Sequence, residues 1–255
     1  IQSDHATKRT SSNTGILYAL RHIATLLGPA FGAAILIFFT QNALLWITIV
    51  ALLTSLLPLL AFRHFSDKPL TLSTPRQKFF KGNGKRPYLL TALYAVHDTV
   101  EHNLLPLFIF ITFGTLESVA VVPVLFSLAA VALAFVMGRT EHRYRELAMI
   151  VAAFVIGLIW LGRLQFDSTL FLFVSVLVVG FVANAVIVPL DSDIFEHGRR
   201  IGDPLSASMY RNTSYMLMQL ILYGALFLLI NVFDASFAIA CLSMFALVVM
   251  NTVYV

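Results

Sequence analysis

Charge and cysteine are both scarce in this chain. Only 12% of its 255 residues are charged and 59% are hydrophobic, where soluble domains carry about 25% and 45–50%. With a mean hydropathy of +0.86, the composition is that of an integral membrane protein rather than a soluble domain. The single cysteine, Cys241, excludes an intrachain disulfide. No Gly-rich loop ending in Lys-Ser/Thr occurs, so nothing indicates nucleotide binding. The apolar runs are long and show little alternation, which argues against barrel strands and for spanning helices of about 20 residues. A pI near 9.3 and a formal charge of +4 could suggest nucleic acid, but the basic residues are dispersed between apolar runs, and no nucleic-acid partner is expected. No charged leader with a short apolar core opens the chain, which begins with Ile. An incomplete protein is therefore expected.

What is present is a series of eight apolar stretches, at about residues 15–40, 43–62, 87–113, 118–137, 147–161 (with a start nearer 144), 168–190, 206–230 and 233–254. Their connections alternate between basic and bare. Lys8 and Arg9, the run from Arg63 to Arg86, then Arg139, Arg143 and Arg145, and finally Arg199 and Arg200 fall on one side, with Arg163 alone on the other. Basic residues are retained in the cytoplasm, so the pattern predicts a multi-pass protein with both ends cytoplasmic. Residues 63–86, rich in Lys and Pro with a Gly82-Asn83-Gly84 turn, read as a basic cytoplasmic linker. Asp191, Asp193 and Glu196 are expected to end the sixth stretch in a loop, as solvated salt links with Arg199 and Arg200.

The third stretch carries four ionisable side chains midway along it: His97, Asp98, Glu101 and His102. At 100° per residue they fall within an arc of about 140°, together with Thr91 and Tyr94. A charge at mid-bilayer costs roughly 2.5–3.5 kcal/mol on insertion scales, and such groups mark ion or substrate pathways by default. The cluster is the candidate proton-coupling and substrate site, with Asp98 or Glu101 taking up the proton and the histidines tuning it. A patch that merely fixes helix packing is the alternative. The mixture of aromatics, histidines and carboxylates suits a cationic or amphipathic solute. On the seventh stretch Asn212, Tyr215, Gln219 and Tyr223 share one stripe and form either a second cavity wall, with Asn212 and Gln219 in the site, or interhelical hydrogen bonds. Asn184, alone on the sixth, is expected in packing.

Tyr18, Arg21, Thr25, Gly28 and Gly32 lie on a stripe of about 80° along the first stretch. Gly28 and Gly32 would admit a close helix neighbour, Pro29 removes a backbone bond, and Arg21 either snorkels to the interface or binds solute. A shift of 190 residues lays Leu20-Arg21-His22 over Tyr210-Arg211-Asn212, the kind of weak repeat that transporter halves show.

The segment Ala24-Thr25-Leu26-Leu27-Gly28-Pro29-Ala30-Phe31-Gly32-Ala33 resembles the Gly-Pro-x-x-Gly-Gly signature in the fifth helix of the major facilitator superfamily, particularly its proton antiporters. The resemblance implies an all-α bundle of that type, with helices five to twelve of twelve represented. Residues 1–62 would then end the N-terminal half-bundle with two helices, 63–86 would join the halves, and 87–255 would form the C-terminal six-helix half-bundle. It also implies that the helix-five face seals against the opposite half, and that Gly138-Arg139-Thr140-Glu141-His142-Arg143 corresponds to the family's Gly-x-x-x-Asp-Arg loop, giving Gly138 and Arg143 a gating role. The expected function is secondary active transport of a small solute by alternating access, coupled to protons, with export the favoured direction. A monomer in the lipid bilayer of the bacterial inner membrane, without cofactor or metal, is the expected form. The competing expectation is a membrane-embedded metal-dependent enzyme that uses the cluster from His97 to His102, with zinc or iron held by these residues and a distant ligand.

Overall fold

The computed structural model describes residues 2–61, 82–114, 116–139, 142–166 and 168–253. Residues 62–81, and with them nearly all of the expected linker, lie outside the described residues. Among the described residues the chain is helical, with no strand: α1 (Gln2–Phe38), α2 (Gln41–Ala61), a 3-10 turn (Gly82–Lys85), α3 (Arg86–Thr99), a π-helical turn (Val100–Leu104), α4 (Leu105–Phe113), α5 (Leu116–Arg139), α6 (His142–Gln165), α7 (Thr169–Ile201), α8 (Pro204–Phe227) and α9 (Val232–Val253). Each of the eight apolar stretches thus falls on helix. Three helical segments, Tyr144–Gln165, Thr169–Ile201 and Val232–Val253, are long and apolar enough to cross a membrane. Many large apolar side chains face outward, among them Leu52, Leu107, Ile111, Val151, Leu170 and Leu220, far more than an aqueous surface tolerates.

The helix ends follow local chemistry. Ser168 caps α7 by accepting the Phe171 N–H at 3.3 Å. Gly202 ends that helix at φ 83°, a left-handed conformation that costs glycine little. There its N–H reaches the Arg199 carbonyl at 3.1 Å and the Asp203 N–H reaches that of Gly198 at 2.9 Å. Asp203 then accepts the Ser206 N–H at 3.0 Å to start α8, with Pro204 in its first turn. The π turn at Val100–Leu104 precedes Pro106. Proline supplies no N–H, and its ring collides with the carbonyl four residues back in a regular helix. That carbonyl belongs to His102, and widening the turn that contains it relieves the conflict.

Two expected boundaries change. α7 continues eleven residues past Leu190, so Asp191, Asp193 and Glu196 lie on helix rather than in a loop. Glu196 keeps the predicted partners, accepting from Arg199 at 2.8 Å and from Arg200 at 3.3 Å. Arg163 is not in a connection either: it lies in the last turn of α6 and points inward.

α7 packs against α5, α6, α8, α1 and α3, while α3 also meets α8 and α9. α1 lies along α5 and α7, and α2 rests on α1. At the α5–α7 crossing the backbones approach so closely that a Cβ on Gly180 would stand 2.4 Å from the Phe126 carbonyl oxygen. Small residues permit such contact where lipid removes the usual hydrophobic drive. Gly28 and Gly32 do not act this way among the described residues, since a Cβ at either meets nothing within 4 Å. Pro29 lies in the helical backbone between them. Gly138 and Arg143 sit in the backbone at the end of α5 and the start of α6, and residues 140–141 between these helices lie outside the described residues.

Candidate functional site

α3 and the π turn present their ionisable residues in two directions. His97 and Glu101, four apart, face α6. His102 and Asp98, also four apart, face α1, α5 and α8. The arc that periodicity drew as one stripe is therefore two sites, one dry and one open.

On the dry side Arg163 donates to Glu101 through Nη1 to Oε2 at 2.5 Å and through Nη2 to Oε1 at 3.1 Å. The side chains are 0% and 1% exposed. The third nitrogen, Nε, donates to Ser175 Oγ on α7 at 2.8 Å. The guanidinium also stacks 4.4 Å from the Trp160 ring centroid. Trp160 Nε1 in turn donates to His97 Nδ1 at 2.9 Å, which makes that nitrogen an acceptor and leaves the ring proton on Nε2. Tyr94 meets His97 edge to face at 5.4 Å. Every strong group here is paired within the protein, and the bidentate geometry is that of a fixed structural pair.

On the open side Asp98 accepts from the Tyr215 hydroxyl of α8, and its Oδ1 lies 3.4 Å from His102 Nδ1. These two side chains keep 19% and 37% exposure, the contrast that separates them from Glu101. They border a hollow of about 160 Å³ between α1, α3, α5, α7 and α8, which Tyr18, Arg21, His22 and Arg211 also line. Arg211 forms a second bidentate pair, Nε to Asp191 Oδ1 and Nη2 to Oδ2, both at 2.9 Å. Tyr18 donates to the same carboxylate at 2.5 Å. His22 Nε2 lies 3.2 Å from Asn184 Oδ1, and Asn184 Nδ2 donates to the Ala130 carbonyl at 2.8 Å. Asn184 thus links α1, α5 and α7, the packing role expected of it.

No family model, curated protein or solved structure matches the chain. The site consequently rests on its own geometry.

The stripe on α8 is largely a ladder of interhelical bonds. Gln219 Nε2 donates to Thr99 Oγ1 at 2.9 Å, and Asn103 Nδ2 to Tyr223 Oη at 2.9 Å, with Tyr215 on Asp98 completing the series. Gln219 is therefore engaged with α3 instead of lining the hollow. Asn212 accepts from Arg211 Nη1 at 3.1 Å and borders an adjacent recess of about 210 Å³ with Tyr18, Arg21 and Asp191. Arg21 lies on both the hollow and the recess, and the shifted-repeat partner Arg211 lines the same space. Among the described residues no group of three or more His, Cys, Asp or Glu side chains is arranged to hold a metal ion.

Sequence reasoning missed Arg163 and Asp191 as site residues. A signal existed for the first: a lone arginine at the edge of an apolar run on the otherwise bare side needs an acidic partner, and Glu101 is the acid on the facing helix. Apolar run length ends the Asp191 helix at Leu190 and so places that acid in a loop, while the helix continues to Ile201. A larger, more charged hollow of about 290 Å³ lies at the start of α3 and includes Arg86, Glu146, Asp193, Glu196 and Arg200. Arg86 Nη2 donates there to Asn251 Oδ1 at 2.6 Å, holding α3 to α9.

Proposed function

We propose that the chain is part of a proton-coupled secondary transporter of the major facilitator type, with the hollow between α1 and α3 as its solute and proton site. The observation that carries this is the open carboxylate: Asp98 faces a space reached from five helices at mid-length of an apolar helix, while the neighbouring Glu101 is sealed away. Enclosed polar hollows at the midplane are where such carriers hold their cargo. The packing of α1 on α5 and α7 supports placing α1 at the contact between two half-bundles, where rocking would open and close the hollow. The basic connections then lie in the cytoplasm, in a bacterial inner membrane.

Asp98 is the proton acceptor in this scheme and Glu101 is not. A carboxylate that alternates between charged and neutral must lose and regain its partners at little cost. The Asp98 carboxylate holds one hydroxyl and has the His102 imidazole 3.4 Å away, and both groups adapt to either protonation state. Protonating Glu101 would strand a guanidinium of 0% exposure, and breaking a buried pair costs about 3–5 kcal/mol. His102, beside Asp98 and half open, tunes or relays the proton. The test is solute-dependent proton movement in proteoliposomes with an imposed pH gradient. Asp98→Asn abolishes it per folded molecule, and Glu101→Gln retains it. Equal proton coupling in wild type and Asp98→Asn would refute the assignment.

A further inference from the structure

The composition of the third helix suited a cationic solute, but arginines inside the bundle neutralise two of the three acids near the hollow, leaving Asp98 as the proton site. Glu101 is taken by Arg163 and Asp191 by Arg211, each through two hydrogen bonds. Asp98 accepts from Tyr215, and His102 Nδ1, 3.0 Å from the Asp98 backbone carbonyl, lies 3.4 Å from its carboxylate. Arg21 is different. Among the described residues no carboxylate lies within ion-pair distance of its guanidinium, which stands 5.9 Å from the Tyr18 ring centroid. It faces both the 160 Å³ hollow and the 210 Å³ recess beside it, so its fork of donors is presented to whatever enters.

We propose that Arg21 is the anion-binding residue of this site and that the solute is a small organic carboxylate with an apolar body. A guanidinium matches a carboxylate through two parallel N–H donations, a geometry that lysine cannot reproduce. The rest of the wall fits the remainder of such a molecule: Tyr94, Phe126 and Tyr215 give aromatic surface within the same hollow. His22 is engaged with Asn184, and Arg211 is paired with Asp191, so among the described residues that line the hollow Arg21 is the arginine without an ion pair. The pocket's selectivity is thus for the sign of one end of the solute and for an aromatic or aliphatic other end. This deepens the transport assignment and rests on it for its biological meaning.

The sign of the site is measurable without knowing the solute. In a background with Cys241→Ala, a cysteine is placed at Leu17, one helical turn from Arg21 and on the wall of the same recess. Its rates of modification by sulfonatoethyl and trimethylammonioethyl methanethiosulfonate are compared in proteoliposomes, each normalised to the reagent's rate with a free thiol. The anionic reagent is expected to be favoured about tenfold, the scale that one incompletely screened charge gives at this distance. Arg21→Gln brings the ratio to about one, while Arg21→Lys keeps the preference. A second arm measures protection of the same cysteine from uncharged methyl methanethiosulfonate by benzoate, benzamide and benzylamine, with protection by benzoate alone expected. A cationic preference with Arg21 present, a ratio unaffected by Arg21→Gln, or protection by benzylamine in place of benzoate would each overturn the proposal. None of these readouts needs flux, so failure here and failure of transport are separate results.

Discussion

Neutralising Glu101 tests the division between the dry and open sides most directly. Glu101→Gln keeps the shape of the side chain and removes its charge, leaving a guanidinium of 0% exposure facing a neutral amide. Removing one partner of a buried pair costs about 3–5 kcal/mol. The glutamine oxygen still accepts one of the two Nη donations, and a retained hydrogen bond returns about 1 kcal/mol. The expected net loss is about 2–4 kcal/mol. Arg163→Met should lose as much, because it strands the carboxylate and removes the stacking on Trp160, itself worth about 0.5–2 kcal/mol. The double variant leaves no buried charge, and its loss should fall short of the sum of the singles by about 2–3 kcal/mol, as expected for residues in direct contact. Unfolding in mixed micelles of mild detergent and dodecyl sulfate, followed through tryptophan fluorescence, supplies the three differences. Additivity within about 0.5 kcal/mol, or a single-variant loss below about 1 kcal/mol, would refute a structural ion pair. It would reopen Glu101 as a titrating group.

The remaining predictions concern packing and the open side. Gly180→Ala should lower the unfolding midpoint sharply, because its Cβ would press on backbone atoms of Phe126 that cannot swing away. Gly28→Ala should be neutral or raise stability by up to about 1 kcal/mol through helix propensity, since nothing lies within 4 Å; equal effects from the two would contradict the packing described. Tyr18→Phe should lose about 1–2 kcal/mol with its bond to Asp191, and Asp191→Asn should lose more because it also strands Arg211, both read by the same unfolding assay. His97→Asn should destabilise the bundle without removing proton coupling from the folded fraction, whereas His102→Asn should alter the pH dependence of solute-driven proton movement. The reverse pattern would place the relay on the dry side.

The helices were legible from apolar run length, and so was the exposed apolar exterior, because a backbone without water must bond within its own segment. The capping signals at Ser168, Asp203 and Gly202 are equally local. The sequence also marked the third helix as the one with ionisable groups at its centre, since hydropathy alone isolates His97, Asp98, Glu101 and His102. It could not say that they divide. Periodicity fixes angles about one helix axis, and an arc of 140° is wide enough to meet two different neighbours. Which neighbour each side chain meets depended on α6 bringing Arg163 and Trp160 to one flank, and on α1 and α8 leaving a hollow on the other. For the same reason Arg21 and Arg211, equivalent in the shifted repeat, differ in their charge state of pairing. Asp191 is ion-paired with Arg211 and no described carboxylate is within ion-pair distance of Arg21, because only the packing of helices distant in sequence determines which charges are neutralised and which remain to meet a solute.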